Sequence, residues 1–319
     1  MADDKADSAA LIPRFQIRRL LNQDQNDRRI TILGAIDGQP AILTIERAAF
    51  VPDLDALRAF HAALTNLTSL GANDIYRWYM ASSGPTDVNP PDLKLNLIWP
   101  CTDQHVLKYT AQNVRMVTES PDIYRQYVRP YMQQKRENGR LNWVFNIIEG
   151  RKEQEDVLYR ESDPQEGFLL IPDLNWDRKT ISSLHLLALV ERRDIWSLRD
   201  LKPSHVDWLK HMRQKLVDAV VKVYPELETD QLKLYVHYHP TYYHFHIHIV
   251  NVTLEAGSTQ STGKAFGLEN LVSQLETMSG GLDRGLADVS LSFYLGESSE
   301  LWTSVFGPLK RGETPNIQG

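Results

Sequence analysis

Alternation of apolar and polar positions dominates the first third of the chain. Phe15 to Leu20, Ile30 to Leu33 and Ala41 to Ile45 read as short strands, and Asp37-Gly38 supplies the pair a tight hairpin turn favours. From Asp53 to Thr68 the period lengthens, with Leu54, Leu57, Phe60, Leu64 and Leu67 on one helical face. Leu93 to Trp99 alternates again and predicts a strand with one wet face.

Between Ser120 and Gly139 long polar and aromatic side chains take over. Pro121 suits a helix start and Pro130 bends or restarts the helix, so this stretch predicts a helical hinge. Beyond it the pattern predicts a short helix near Trp143, strands at Asp156 to Arg160 and Gly167 to Pro172, and a helix at Ile181 to Val190. A long amphipathic helix follows over Ser204 to Val223, with Ser204 and Asp207 at capping-box spacing, then two long strands, Gln231 to Tyr238 and Tyr242 to Leu254. No internal repeat or glycine-rich phosphate loop appears. The expectation is an α+β protein: a disordered tail over 1–10, a mainly antiparallel β domain with a helix over 11–118, the hinge over 119–140, an α+β domain with an antiparallel sheet over 141–306, and a flexible tail over 307–319.

Composition narrows the function classes. At 319 residues, 42% apolar and 24% charged, the chain has material for two globular cores. The first residues are polar and acidic, without the apolar stretch of a secretory signal, and no apolar run approaches the roughly 18 residues of a membrane span. A single cysteine, Cys101, forms no internal disulfide; the expected home is the cytoplasm, with the nucleus as a further compartment. The net charge of −6 argues against a broad surface for a long nucleic-acid duplex, and leaves room for a small phosphorylated ligand held by a few local cations.

The densest chemistry lies in His237-Tyr238-His239-Pro240-Thr241-Tyr242-Tyr243-His244-Phe245-His246-Ile247-His248-Ile249-Val250, which holds five of the ten histidines. On a strand, His244, His246 and His248 share one face at a spacing of about 6.6–6.8 Å, while Phe245, Ile247 and Ile249 point into a core. Three readings compete: satisfied structural histidines, a metal site with His237 or His239 as a further ligand, and transfer of a phosphoryl or nucleotidyl group to an imidazole nitrogen.

His244-Phe245-His246-Ile247-His248-Ile249-Val250 resembles the signature of the histidine-triad superfamily of nucleotide hydrolases and transferases. The flanking His237-Tyr238-x-Pro240-x-Tyr242-Tyr243 resembles one branch of it, the scavenger mRNA decapping enzymes. That similarity extends to Asn142-Trp143-Val144-Phe145-Asn146-Ile147-Ile148, Gly167-Phe168-Leu169-Leu170-Ile171-Pro172-Asp173-Leu174, Ser197-Leu198-Arg199-Asp200-Leu201 and, in the first domain, Asn73-Asp74-Ile75-Tyr76.

The resemblance implies a hydrolase that cleaves residual 7-methylguanosine cap dinucleotides and short capped RNA, without cofactor or metal, through a covalent nucleotidyl-histidine. It implies His246 as nucleophile, with His244 and His248 orienting and contacting phosphate, and His237 as a further active-site histidine. Trp143 would stack on the cationic base and Glu153 would read its edge, with Leu174 covering the opposite ring face, Asp173 on the nucleoside and Asn73 reaching in from the first domain. Thr241, Tyr242 and Lys264 would hold phosphates, although Asn175 stands where many members carry a lysine. A homodimer exchanging N-terminal elements, with a pocket that closes between domains, is also implied. Taken alone, Trp143 reads as a core aromatic and Glu153 as a solvated charge. Two other activities remain open: dinucleoside polyphosphate hydrolysis by another histidine-triad enzyme, and non-catalytic cap binding by a regulator of RNA decay.

Overall fold

The computed structural model describes residues 10–24, 28–47, 53–73, 76–83, 93–139, 141–173, 176–281 and 283–316. Chain contacts divide it into two units, 1–111 and 112–319. In the first, strands β1 (Gln16–Gln23), β2 (Arg29–Ile36), β3 (Gln39–Arg47) and β6 (Leu93–Ile98) form an antiparallel sheet in the order β1-β2-β3-β6. The β2–β3 hairpin turns where expected, with Asp37 at φ 50° and Gly38 at φ 80° joining Ile36 to its partner Gln39. A small core gathers Leu21, Ile42 and Cys101.

The helix expected over 53–68 is shorter. It runs as α1 (Leu54–Ala62), capped by Asp53, and gives way to β4 (Leu64–Asn73), which pairs with β5 (Tyr76–Ser83). Leu64 and Leu67, expected on the helix face, therefore lie on a strand; six of the eight residues from Leu64 to Gly71 are Leu, Thr or Ser, and a hairpin partner is available. A second short helix, α2, spans Asp103–Tyr109.

The second unit begins earlier than the expected boundary at residue 118. Strand β7 (Val114–Glu119) pairs along its whole length with β14 (Leu291–Gly296) from the far end of the chain. The expected hinge is helical: one turn at Pro121–Ile123, a wide turn at Tyr124–Val128, then α3 (Arg129–Glu137). The wide turn directly precedes Pro130, where the ring removes a backbone donor. Tyr124, Val128, Tyr131 and Met132 of this segment are buried in the main core of the second unit.

The main sheet has the order β13-β11-β12-β10-β9-β8, all antiparallel, built from β8 (Tyr159–Glu161), β9 (Phe168–Pro172), β10 (His185–Val190), β11 (Leu232–His237), β12 (His246–Asn251) and β13 (Ala265–Gly267). Two expectations are corrected here. The segment expected as a helix over Ile181 to Val190 is a 3-10 turn at Ile181–Ser183 followed by the strand β10, because an apolar run buried on both faces carries no usable period. The strand expected over 156–160 is a turn at Gln154–Asp156 followed by β8.

One face of the sheet (Leu186, Ala188, Val190, Leu234, Val236, Ile247, Ile249) joins the main core with α5 (Val206–Val223) and α6 (Leu268–Thr277). Helix α5 starts after a turn at Pro203–His205 and has no side-chain cap, so the expected Ser204–Asp207 box does not form. The other face (Leu169, Ile171, Leu187, Leu189) packs under α4 (Asn142–Ile148). The expected tail at 307–319 opens with a turn of helix, α7 (Gly307–Lys310), whose Gly307 is buried.

Arg199 and Glu119 form an ion pair at 2.6 Å with neither side chain exposed. Arg199 also donates to the carbonyls of Leu286 and Val289, at 2.7 and 2.6 Å, and Tyr238 Oη donates to Glu119 at 2.6 Å. Glu119→Ala should leave a buried guanidinium without its counter-charge and destabilise the second unit by about 3–5 kcal/mol, read as a lower urea midpoint. An unchanged midpoint would show that the carbonyls alone satisfy Arg199.

Candidate functional site

Strand β12 lies between β10 and β11, with His246 opposite Leu189 and His248 opposite both Leu187 and Tyr235. Paired residues share a face, so His246, His248, Tyr235, His237 and His185 converge on the side away from the helix-covered core. The ring centroids of His237 and His248 are 4.2 Å apart, those of His246 and His248 5.3 Å, and Tyr235 stacks on His248 at 5.1 Å.

The expected strand from Tyr242 begins only at His246. His244 therefore precedes it, fully buried, with Nε2 donating to Val190 O at 2.7 Å and its ring edge-on to Phe145. Its ring lies against Phe145 of α4, the helix over the sheet face that carries His246 and His248. What it offers the site is its backbone carbonyl, which accepts a hydrogen bond from His246 Nδ1 at 2.8 Å. That contact places the ring hydrogen of His246 on Nδ1 and leaves a bare lone pair on Nε2.

Burial sets the protonation of the cluster. It pushes His246 and His239 down to about 3, and His237 and His244 down to about 4. His248 is driven well below the usual range by burial and by its histidine neighbours. Neutral imidazoles at physiological pH are competent nucleophiles and competent metal ligands alike. His237, His246 and His248 each bring a ring nitrogen within 4.8 Å of the others, and Asp173, His185 and His248 do the same with one ligand atom each.

The aromatic side of the site is a relay of rings. Tyr242 stacks on His246 at 4.2 Å, and Trp143, at the start of α4, meets Tyr242 edge-on at 5.0 Å while staying 43% exposed. A large indole left open beside a buried imidazole offers a platform for a planar ligand. The Tyr242 hydroxyl and His248 Nε2 are buried and have no partner among the described residues. Such groups cost free energy unless something else satisfies them.

The other expected residues fall into three groups. Thr241 is exposed in the loop between β11 and β12; Lys264 Nζ donates to the His239 carbonyl at 2.6 Å, and its charge helps to lower His237. Asp173 sits at the end of β9, its Oδ2 3.7 Å from His185 and 3.8 Å from His248. Glu153 is exposed after α4 at φ 55°. Asn73 ends β4 in the first unit, while Leu174 and Asn175 lie outside the described residues.

His185 and Tyr235 escaped the sequence reading. His185 was hidden by the helical reading of 181–190; on a strand it falls in step with Leu187 and Leu189. Tyr235 carried the same signal, two residues before His237.

Four neutral buried histidines make stability depend on pH. In the unfolded chain each takes a proton near 6.5, in the folded protein only near 3–4. Their stabilisation is complete above pH 6.5 and is lost progressively as pH falls toward 4, because the unfolded state binds the protons first. The urea midpoint should drop between pH 7.5 and 5, and a flat profile would contradict neutral burial.

Comparison with known proteins agrees with this geometry. A family model described as "Scavenger mRNA decapping enzyme (DcpS) N-terminal" matches residues 10–112, and one described as "Scavenger mRNA decapping enzyme C-term binding" matches 142–263. The chain is 34% identical over 304 residues to the m7GpppX diphosphatase of Schizosaccharomyces pombe, covering 95% of this chain and 97% of that protein. It is 33% identical to the Ascaris suum m7GpppX diphosphatase, covering 82% of this chain and 85% of that protein. Against the Homo sapiens m7GpppX diphosphatase the identity is 30%, with 82% and 77% covered.

Proposed function

The chain belongs to the scavenger mRNA decapping enzyme family, and from that premise we propose that it hydrolyses 7-methylguanosine-capped nucleotides at a covalent histidine centre. It is a hydrolase of the m7GpppX diphosphatase kind, acting on cap-containing substrates. The observation that carries the histidine mechanism is the 2.8 Å hydrogen bond from His246 Nδ1 to the His244 carbonyl. It orients the ring and leaves Nε2 as an unprotonated nucleophile.

His246 Nε2 attacks the phosphorus nearest the methylguanosine, forming an N–P bond as the P–O bond to the next phosphate breaks. A nucleoside diphosphate, or a short RNA 5′-diphosphate, departs. The positive charge gained by the imidazole is stabilised by the His244 carbonyl on the Nδ1 hydrogen. Water then cleaves the N–P bond, releasing 7-methylguanosine monophosphate and restoring the neutral ring. His248, Tyr242, Thr241 and Lys264 supply donors to the phosphate oxygens, His248 and Tyr242 through groups with no partner among the described residues, while His237 gives its ring hydrogen to the Thr259 carbonyl and keeps a lone pair on Nδ1. Trp143 stacks on the methylated base, and Glu153, Asp173 and Leu174 complete its recognition. Support for those three is their correspondence with the family pattern. Substrates are cap dinucleotides and short capped oligomers, and the working form is a homodimer in the cytoplasm and nucleus; the family resemblance supports the dimer, and the single cysteine supports a reducing compartment.

Incubation with methylated cap dinucleotide should yield 7-methylguanosine monophosphate. His246→Asn should keep the fold and cap binding while lowering turnover by roughly four orders of magnitude or more. Near-parental turnover would end the covalent reading.

The nitrogens of His237, His246 and His248 favour a second reading, a catalytic metal held by the cluster. Excess chelator distinguishes the two: unchanged turnover is expected, whereas loss restored by zinc would favour the metal. Trp143→Ala should weaken binding of the methylated cap by about 1–3 kcal/mol, through lost stacking and cation–π attraction. Equal affinity of the parent for methylated and unmethylated caps, measured by fluorescence titration, would count against the Trp143 platform.

A further inference from the structure

The two ring nitrogens of His248 face different surroundings. Nδ1 lies 3.0 Å from Nε2 of His185, whereas Nε2 is buried and meets no partner among the described residues. Two imidazole nitrogens at that distance share one hydrogen, so one ring donates and the other accepts. The Asp173 carboxylate, at 3.7 and 3.8 Å from this pair of nitrogens, stands outside hydrogen-bond range of both.

If His248 were the donor, its Nε2 would turn a lone pair toward the site, and the oxygens of an ionised phosphate only accept. If His185 donates, His248 carries its hydrogen on Nε2, and the unpartnered buried atom becomes a donor aimed at the place an anion would occupy. We propose that His185 is a positioning residue whose Nε2–H donates to His248 Nδ1, setting His248 as the Nε2–H tautomer that hydrogen-bonds a substrate phosphate oxygen. This rests on the reading of the site as a phosphate-transfer centre.

Two histidines on one strand face are thereby given opposite tautomers. His246 has its hydrogen on Nδ1, held by the His244 carbonyl, and offers a lone pair. His248 has it on Nε2 and offers a donor. The stacked Tyr235 ring at 5.1 Å and the His237 ring at 4.2 Å already confine the plane of His248. What they leave undetermined is the position of the hydrogen, and that is what His185 supplies. No proton is transferred in this role; the ring stays neutral and donates a hydrogen bond.

The tautomer is read directly by long-range proton–nitrogen NMR on ligand-free protein with 15N-labelled histidine, the His248 signals being assigned by their loss in His248→Asn. Protonated Nε2 and bare Nδ1 are expected; the reverse overturns the proposal. This measurement stands whether or not the parent cleaves caps, so its failure is distinct from failure of the proposed activity. Kinetics on methylated cap dinucleotide supply the second readout. His185→Leu, confirmed folded by its circular dichroism, should lose about 10–100-fold in kcat with KM little changed. His185→Gln, whose amide N–H can donate to the same nitrogen, should recover most of that loss. Equal defects in the two variants, or none in either, would overturn the role.

Discussion

Arg199 and Glu119 face each other without exposed surface, and four stretches of chain converge on them. Glu119 ends β7, Arg199 sits in the turn after Ser197, Tyr238 follows β11, and Leu286 and Val289 bring in the segment before β14. A buried guanidinium is tolerable only when its donors are matched, and here three carbonyls, of Glu119, Leu286 and Val289, and a carboxylate match them. Burial pushes the Glu119 carboxyl up, with Arg199 and Tyr238 pulling against it. Holding Tyr238 fixes one end of the loop that carries Thr241 and Tyr242. The carbonyl of Tyr243, near its other end, accepts a hydrogen bond from Arg136. The site thus hangs between two arginine anchors.

The second constraint is dehydration. A sheet whose far face is filled by Ile247, Ile249, Leu234 and Val236 gives the opposite face a dry floor. Imidazoles placed there stay neutral, and each needs partners for its two nitrogens. Backbone carbonyls of Val190, His244 and Thr259 satisfy one nitrogen each of His244, His246 and His237. The same dryness that penalises a charged histidine keeps the ring of His246 neutral, so the stability cost and the proposed chemistry have one cause.

Lys264 is committed by its bond to the His239 carbonyl, and burial lowers its affinity for its proton. Under the proposed phosphate chemistry the neutral groups matter more: among the described residues, the Tyr242 hydroxyl and His248 Nε2 are buried without a partner.

The amino-acid sequence by itself determined the chemistry-bearing strand, because a period of two puts His246 and His248 on one face and Ile247 and Ile249 on the other wherever that strand lies. It also determined the Asp37-Gly38 hairpin and helix α4 around Trp143, whose signals are local. It left undecided how Leu184 to Val190 fold, since a continuous apolar run suits a buried strand or a buried helix, and only the two flanking strands choose. With that choice came His185, invisible as a site residue until β10 was laid beside β12. Tertiary structure also removed His244 from the strand, because the carbonyl of Val190 captures its ring. For His246 the hydrogen is held by the carbonyl of nearby His244, but for His244, His237 and His248 the ring partners are the distant Val190, Thr259 and His185. Local pattern specifies which face a side chain takes; the proton on that side chain answers to neighbours that only the folded chain assembles.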